Sequence, residues 1–551
     1  MKRIIYISFG IVALFIAGYL LAYSLPPELR PYFFNTREAR PGLKSITSSY
    51  IKSSVSVLAS DSLRGRYSTF PGQKKAAKFI KSELQSLGIK PLPGLGSYYQ
   101  KFTLERVSLS DSQRAHIYTG SDTTLLSYSN DFYVSPSGIY NSQEISGKLV
   151  FAGYGISSSR YNYDDYAPIN VRDKWLMVIE GEPQLHNSKS IFNGAEPTRW
   201  SRIRTKKWKA NQSGAAGLIV VSNNFHGSSQ RAFGEILEEI QQSMARPFMK
   251  LPDTERTNFI PLILISHQLA DSLLIASSGK SLSEYQASID ASLEPVSFPL
   301  DMSLDVEIGI NKIAAQTENV VGIHEGANPK LRDNYVILTA HYDHMGAIGD
   351  SIIYHGADDN ASGTAGVLAV ARAFAQNPVK PERSVIFALL SAEELGLLGS
   401  QYFTDNPPVE LDSITANVNM DMIGRNARDS IFVIGSNMLS WDLHNISEIA
   451  RHHVRKMHFD FKYNDVDDPQ RLYYRSDHYN FAKYDIPSLF FFSGLHEDYH
   501  RPTDTTEKVD FVKAARVSKV AFLTAWGVAN FEERLELDGQ LVEDYTDTVS
   551  R

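Results

Sequence analysis

The sequence contains no cysteine, and this absence limits the chemistry open to it. Disulfide bonds, thiolate nucleophiles and cysteine-based zinc sites are all excluded. Any metal would have to be bound by histidine, aspartate and glutamate. An excess of basic charge is also absent, because the formal net charge of the 551 residues is -7. Without a basic stripe, nucleic acid is not an expected partner.

Long hydrophobic runs are absent except at the N-terminus, where residues 4–25 are apolar and follow Lys2 and Arg3. The run is long enough to span a membrane. Ala22 and Ser24 also fit the small-residue pattern of a signal-peptide cleavage site. A transmembrane anchor, a cleaved signal peptide and a buried core helix all remain open. The first two predict that the rest of the chain is exported, to the periplasmic or extracellular face, because the basic residues stay inside.

The pattern of apolar residues divides the remaining chain into segments. A linker at 26–45 is followed by helical patterns at the start of segment 46–130. Residues 131–300 contain short apolar strands separated by Gly, Asn and Pro, which predicts a β-rich domain of its own. In residues 301–535 strands and helices alternate, so we expect an α/β fold with a mixed, mostly parallel sheet flanked by helices. Residues 536–551 form a polar tail.

Five short motifs in segment 301–535 collect histidine and carboxylate groups. They are AHYDH (340–344), GADDNASG (356–363), SAEELG (391–396), NMDMIG (419–424) and DYHRPTD (498–504). Several follow predicted strands, and sites in open α/β sheets gather where strands end. Each motif alone has an ordinary explanation, such as a core histidine or a helix N-cap. Together they predict a two-metal hydrolase site.

The predicted metal ligands are two imidazoles and three carboxylates: His341, Asp358, Glu394, Asp421 and His500. Two metals about 3.5–4 Å apart need one bridging carboxylate. Asp358 is the expected bridge, because the small residues around it allow close approach of the backbone. Imidazole and carboxylate ligands suit zinc, with cobalt or manganese as substitutes. Such a pair makes hydroxide from water at neutral pH and polarises a carbonyl, which favours amide hydrolysis.

Three further residues are expected to act beside the ligands. Glu393 adjoins Glu394 and is the predicted general base, which passes its proton to the leaving amine. Asp343 lies two residues from His341 and is the predicted acceptor for its other ring nitrogen. Tyr499 is placed to donate its hydroxyl to the developing oxyanion. For RSDHYNF (475–481), a role in shaping the pocket and a purely structural role both stay open.

The five motifs resemble those of the co-catalytic zinc aminopeptidases of the bacterial leucyl aminopeptidase and aminopeptidase Y type. The glutamate carboxypeptidase II group shares the same core. The resemblance covers about residues 46–535 and implies a zinc exopeptidase-like fold. Residues 131–300 resemble an inserted protease-associated domain, which either restricts access to the site or serves as a scaffold.

When the family's residues are matched to this sequence motif by motif, the resemblance implies two zinc ions, each with its own ligand set. His341, Asp358 and Asp421 would bind one zinc, and Asp358 would also bridge to a second zinc. Glu394 and His500 would complete the second set. Glu393 matches the general base of the family, Asp343 the residue that orients a ligand, and Tyr499 a tyrosine found in some members.

The expected function is therefore that of an exported zinc aminopeptidase that hydrolyses N-terminal residues from peptides through a metal-bridged hydroxide. Its partners would be peptides with a free N-terminus and, if the N-terminal segment is retained, a membrane. Three alternatives stay open. The first is glutaminyl cyclisation on one zinc, with the free amine as attacking group. The second is carboxypeptidase activity, which would need an arginine cluster that the sequence does not locate. The third is a non-catalytic, receptor-like ectodomain.

Overall fold

The computed structural model describes residues 36–539 and residues 29, 32 and 34, with gaps at 137, 140, 186, 195, 222–224, 227–228, 231–247, 253–258, 466–467 and 469. The predicted anchor or signal peptide at 1–25 lies outside the described residues, as do residues 540–551 of the tail. Within the described part, no helix has the length and apolar character needed to cross a membrane. Residues 36–45, expected to be part of a linker, form a helix.

The elements alternate along much of the chain. The described helices are α1 (Thr36–Ser45), α2 (Ser48–Leu58), α3 (Pro71–Ser86), α4 (Ile203–Gln212), α5 (His267–Ser278), α6 (Leu282–Ser292), α7 (Gly363–Gln376), α8 (Leu398–Asp405), α9 (Trp441–His452), α10 (His478–Ala482) and α11 (Phe511–Ala529). The described strands are β1 (Lys90–Pro91), β2 (Tyr99–Leu109), β3 (Arg114–Thr119), β4 (Asp122–Leu126), β5 (Phe132–Ser135), β6 (Gln143–Ala152), β7 (Ser157–Ser158), β8 (Tyr163–Asp164), β9 (Trp175–Ile179), β10 (Gly217–Val221), β11 (Phe225–His226), β12 (Ser229–Gln230), β13 (Phe248–Lys250), β14 (Leu262–Ile265), β15 (Ser297–Ile308), β16 (Ile310–His324), β17 (Tyr335–His341), β18 (Ala347–Ile348), β19 (Ile352–Ile353), β20 (Ser384–Leu390), β21 (Ile414–Met420), β22 (Ser430–Ile434), β23 (His458–Asp460) and β24 (Ser488–Phe492).

The chain forms two compact units. The discontinuous unit comprises the chain up to Thr103 and from Ala315 onward, and the inserted unit comprises Leu104–Ala314. The inserted unit begins earlier and ends later than the segment 131–300 that the sequence pattern favours. The reason is that β3 and β4 join its sheet through antiparallel pairing of β3 with β15.

The sheet of the discontinuous unit is mixed, with four parallel strands at its centre. Within this unit the order is β2-β16-β20-β17-β21-β24-β22-β23, and β1 pairs with β16. Strands β20, β17, β21 and β24 run parallel to one another. Their residues are buried throughout, apart from the first residue of β17, and most are apolar or β-branched, with Asn417 and Asn419 of β21 among the exceptions. Such runs are typical of parallel strands covered on both faces, and the predicted fold class is confirmed.

Helices cover both faces of this sheet. Alternate residues along a strand point to opposite faces, so one strand contributes side chains to two separate cores. Val336 and Leu338 of β17 belong to a core shared with α7 and α11. Ile337, between them, packs in a separate core with Phe403 of α8 and Phe481 of α10. The sheet is therefore the middle of three layers. Its central strands are held rigidly, and their carboxyl ends meet at one edge.

The inserted unit has a second sheet of its own. The strand order is β4-β3-β15-β6-β9-β10-β14-β5, with β6, β9, β10 and β14 parallel. Helices α4, α5 and α6 accompany it. The described residues of this unit contribute none of the histidine and carboxylate groups that lie within metal-binding distance of one another. It is a β-rich domain, as its sequence predicts.

Aromatic packing between α7 and α11 stabilises the discontinuous unit. The buried ring of Phe374 lies 4.9 Å from Phe522 and 6.1 Å from Trp526, between centroids. We expect Phe374→Ala to lower the free energy of unfolding by about 3–5 kcal/mol, because it removes a buried ring and leaves a cavity. Urea titration followed by circular dichroism would measure this change.

Val512, exposed on the first turn of α11, supplies the matched control. Val512→Ala should change the free energy of unfolding by less than about 0.5 kcal/mol. Equal losses for the two variants would contradict the packing assigned to Phe374.

Candidate metal centre

The predicted ligands gather at the carboxyl edge of the four parallel strands. His341 is the last residue of β17, and Asp421 follows β21 directly. Glu393 and Glu394 come three and four residues after β20 ends, and His500 lies in the loop after β24. Parallel strands end at the same edge of a sheet, so residues far apart in sequence become neighbours.

The donor atoms fall into two sets. In one, the Nε2 atom of His341 lies 3.3 Å from Oδ1 of Asp421. In the other, the Nε2 atom of His500 lies 3.1 Å from Oε2 of Glu394. Each set pairs one imidazole with one carboxylate, and both carboxylates are almost completely buried. These pairs bring together four of the five predicted ligands.

Asp359 connects the two sets, with one oxygen facing each. Its Oδ1 atom lies 3.5 Å from Nε2 of His341, and its Oδ2 atom lies 3.3 Å from Nε2 of His500. A carboxylate with this orientation can bind two cations at once, one through each oxygen. Asp359 therefore has the geometry expected of a bridging ligand.

Asp358, predicted to be the bridge, faces elsewhere. Its Oδ1 atom accepts a hydrogen bond of 2.7 Å from the amide of Gly424, and its Oδ2 atom lies 3.4 Å from Nε2 of His496. The bridging role expected of Asp358 does not fit this geometry. Adjacent side chains in this loop point in different directions, and the sequence alone does not reveal which of two neighbouring acids faces the other ligands.

The loop that carries Asp359 is fixed by its neighbours. The amides of Asp358 and Asp359 both donate to the carboxylate of Asp504, at 3.0 and 3.1 Å. The Oδ1 atom of Asn360 accepts from the amides of Gly363 and Met422, and its amide group donates to the carbonyl of Met420. These bonds tie the loop to the end of β21, and so hold Asp359 beside Asp421.

The donor set fits zinc in chemistry and in spacing. A tetrahedral site with metal–ligand distances of about 2.0–2.2 Å has ligand atoms about 3.3–3.6 Å apart. The four imidazole–carboxylate separations given above, between 3.1 and 3.5 Å, lie close to that range. His341, Asp421 and Asp359 could hold one ion, and His500, Glu394 and Asp359 a second.

His341 is oriented by a partner on its far side. The Nδ1 atom of His341 lies 3.3 Å from the carbonyl oxygen of Asp343 and 3.7 Å from its Oδ1. Asp343 is itself fixed, because it accepts hydrogen bonds from the hydroxyl of Ser68 and the amide of Glu393. Asp343 therefore lies behind His341.

Ser476 and His344 perform the corresponding task for two carboxylates, and neither is predicted from the sequence. The hydroxyl of Ser476 donates to Oδ2 of Asp421 at 2.8 Å, which leaves Oδ1 facing His341. The Nδ1 atom of His344 lies 2.7 Å from Oε1 of Glu394, which leaves Oε2 facing His500. The only sequence signal for them is their position inside motifs that contain ligands or neighbours of ligands.

Glu393 lies beside the first donor set without joining a pair as close as the others. Its Oε2 atom is 3.7 Å from Nε2 of His341. The atoms of His341, Glu393 and Asp421 lie within 4.8 Å of one another, and the same holds for His344, Asp359 and Glu394. Glu393 is therefore close enough to reach a group bound between the two sets.

Burial and the neighbouring charges shift the pKa values of the imidazoles and carboxylates of the site. Burial lowers the pKa of His500, but Glu394 and Asp359 raise it to about 11. Burial raises the pKa of Glu393 well above its ordinary value, with His341 opposing the rise and Glu394 adding to it. Protons and a divalent cation compete for such donor atoms. His500 and Glu393 bind protons strongly in this cluster. Divalent cations could take the place of those protons and neutralise the carboxylates.

Backbone strain is also present at the site. Three non-glycine residues adopt left-handed conformations there: Ala392 with φ of 61°, Met422 with φ of 56° and His500 with φ of 56°. Ala392 precedes Glu393, and Met422 follows Asp421. Such conformations cost about 1–3 kcal/mol each and persist only where surrounding structure enforces them. Here they turn the side chains of the site towards one another.

A pocket opens beside the donor sets. Its apolar walls are formed by Met422, Leu472, Phe490, Phe492 and Leu495, and its polar lining by His341, Asp359, Glu393, Asp421, Arg475, Tyr499 and His500. The ring of Tyr499 stacks on that of His500, with centroids 3.8 Å apart and planes at 23°. Burial, together with Asp359 and Glu394, raises the pKa of Tyr499. Its phenol thus stays protonated and can donate.

Two residues of the RSDHYNF motif are deeply buried next to the site. The ring of His478 packs against Phe490 and Tyr473, with centroids 5.0 and 5.3 Å away, and burial lowers its pKa to about 3. This favours the structural role for His478. Burial raises the pKa of Asp477 to about 7, while His341 opposes the rise.

Comparison with known proteins gives a consistent picture. Residues 319–525, which include every donor named above, match Peptidase family M28. Aminopeptidase YwaD of Bacillus subtilis is 32% identical over 203 residues, 35% of this chain and 40% of that protein. Leupeptin-inactivating enzyme 1 of Streptomyces exfoliatus is 30% identical over 169 residues, 30% of this chain and 36% of that protein. The chain thus matches less than half the length of these relatives.

A solved structure resembles the fold over a greater length. The aminopeptidase from Aneurinibacillus sp. strain AM-1 superposes with a TM-score of 0.53 over 92% of this chain and 97% of its own, at 18% identity. At that identity the likeness concerns the fold alone. The family resemblance inferred from the five motifs is confirmed for residues 319–525, the part of the chain that matches Peptidase family M28.

Proposed function

We propose that the protein is a zinc-dependent aminopeptidase that removes N-terminal residues from peptides. The observation that carries the proposal is the orientation of Asp359. Its two oxygens face two separate imidazole–carboxylate pairs, His341 with Asp421 and His500 with Glu394. These five residues would hold two zinc ions. When bound, such a pair activates water and polarises the scissile carbonyl.

The residues beside the ligands would carry the proton transfers. Glu393 accepts a proton from the attacking water, whose oxygen forms a bond to the carbonyl carbon. When the carbon–nitrogen bond breaks, Glu393 returns that proton to the leaving amine. Tyr499 donates its hydroxyl to the carbonyl oxygen as negative charge develops there.

The charges of the pocket favour a substrate with a free amine. Glu393, the one carboxylate of the described lining that is not assigned to a zinc ion, would attract an ammonium group. Arg475 is the single Arg or Lys side chain of the described lining, so the cationic cluster needed to hold a C-terminal carboxylate is not present there. The walls around Phe490 and Phe492 suit an apolar first residue.

The first test is cleavage of aminoacyl anilides with free and acetylated amines, with zinc counted in the same sample. We expect cleavage of free-amine substrates only, fastest for apolar first residues, with about two zinc ions per chain. Activity should disappear on chelation and return when zinc is added. Cleavage of acetylated substrates, or one zinc with a pyroglutamyl product, would contradict the proposal.

Glu393→Gln tests the general base. The variant should keep its zinc and lose about 10²–10⁴-fold in kcat, because the amide cannot accept the proton of water. Metal analysis after dialysis, together with steady-state kinetics, measures both quantities. Loss of zinc from this variant would instead make Glu393 a ligand.

Asp359 and Asp358 provide a matched pair for the bridging ligand. Asp359→Asn should lose zinc, because an amide replaces one of the two oxygens that face the imidazoles. Asp358→Asn should retain zinc, because its Oδ1 atom can still accept from the amide of Gly424. Zinc per chain, measured by atomic absorption after dialysis, decides between them. The reverse result would restore Asp358 as the bridge.

A further inference from the structure

One charged group of the pocket has no part in the proposed reaction. Arg475 lines the pocket and is exposed, and its Nη2 atom donates to the hydroxyl oxygen of Tyr499 at 3.4 Å. Within the described part of the chain, no carboxylate lies within ion-pair distance of this guanidinium. Its charge is therefore directed at Tyr499 and at whatever occupies the pocket.

The position of Arg475 is fixed from both sides. Its amide donates to the carbonyl of Leu472, which closes a short turn at Leu472–Tyr474. The next residue, Ser476, donates to Oδ2 of Asp421. The backbone of Arg475 is thus held by the turn before it and by Ser476 after it, which orients a candidate zinc ligand. The guanidinium therefore extends from a fixed stretch of backbone.

The hydrogen-bond chemistry of the two groups sets the direction of the phenol proton. A guanidinium only donates and stays charged, whereas a phenol has a single proton and can both donate and accept. When Tyr499 accepts from Arg475, its own proton must point to a different acceptor. The stacking on His500 holds the ring, so only rotation about the C–O bond remains. A separation of 3.4 Å is long for a hydrogen bond, and the orienting effect is mainly that of charge on dipole.

We propose that Arg475 is a positioning residue that turns the hydroxyl proton of Tyr499 away from itself and towards the oxygen of the scissile carbonyl. This inference rests on the proposed aminopeptidase function and adds a residue to it. Arg475 acts through Tyr499, which donates to the carbonyl oxygen as negative charge develops there. Loss of Arg475 should therefore lower kcat and leave KM nearly unchanged. A guanidinium that instead binds a carboxylate of the substrate would act in KM and only on substrates with that carboxylate.

A double-mutant cycle on a substrate without a carboxylate, leucyl p-nitroanilide, separates these roles. Arg475→Met should lower kcat about tenfold with little change in KM, since an orienting charge is lost. Arg475→Lys should recover part of the loss, because it keeps the charge without the planar donor. In the Tyr499→Phe background, Arg475→Met should cost less than about twofold more, because the group it orients is gone. Arg471→Met, at an exposed arginine over the ring of Tyr474, is the control and should leave kcat unchanged.

The outcomes distinguish this inference from the function on which it rests. Wild-type protein that cleaves no free-amine substrate would overturn both. With an active wild type, fully additive losses for Arg475→Met and Tyr499→Phe would overturn the positioning role alone. It would also be overturned if Arg475→Met spared leucyl p-nitroanilide and raised KM only for glutamyl p-nitroanilide or for the dipeptide Leu-Leu. Those two substrates separate a side-chain carboxylate from a terminal one. Zinc per chain should equal the wild-type value in every variant, and zinc loss in Arg475→Met would also contradict action through Tyr499.

Discussion

The constraint on which the site depends is the close burial of like charges. Asp359, Glu393, Glu394 and Asp421 bring four carboxylates to one sheet edge, where their side chains are largely shielded from water. Like charges at such distances disfavour one another strongly, and desolvation adds to the cost. The imidazoles of His341 and His500 offset part of it, and bound cations would offset the remainder. The fold must therefore keep these groups together against their own repulsion.

A buried arginine contributes to that task from behind the ligands. Arg66 is fully buried, and its guanidinium donates to four backbone carbonyls, those of Leu58, Tyr342, His355 and Gly356. These bonds join α2 to the end of β17 and to the loop that leads to Asp359. Burial lowers the pKa of Arg66 to about 10, with Asp343 and Asp359 opposing the change, so it remains a cation. It thus supplies both fixed geometry and positive charge to a region rich in acids.

The apolar runs of the sequence predict the central sheet. The five motifs single out His341, Glu394, Asp421 and His500, whose side chains the fold brings together. Largely apolar runs such as β17 and β20 are typical of buried parallel strands. Polar residues at the carboxyl ends of such strands lie at the same edge of the sheet. The sequence does not distinguish Asp358 from Asp359, since that choice depends on bonds from Gly424 and Asp504 that only the folded loop makes. Ser476 and His344 are missed because an ordinary polar residue carries no mark of the carboxylate it will orient.

The elements that hold the ligands differ from those that form the pocket. Most of the ligands stand at or just after the ends of rigid parallel strands, where the loops are strained and closely bonded. The apolar walls come largely from residues 472–495, where β24 and a short turn present Leu472, Phe490 and Phe492. The loop that follows β24 connects the ligands with the pocket, because it carries the ligand candidate His500 and the lining residue Tyr499. Substitutions of the wall residues Leu472, Phe490 and Phe492 can therefore alter which side chain fits the pocket while the donor atoms stay in place. Tyr499 is where the two properties are coupled.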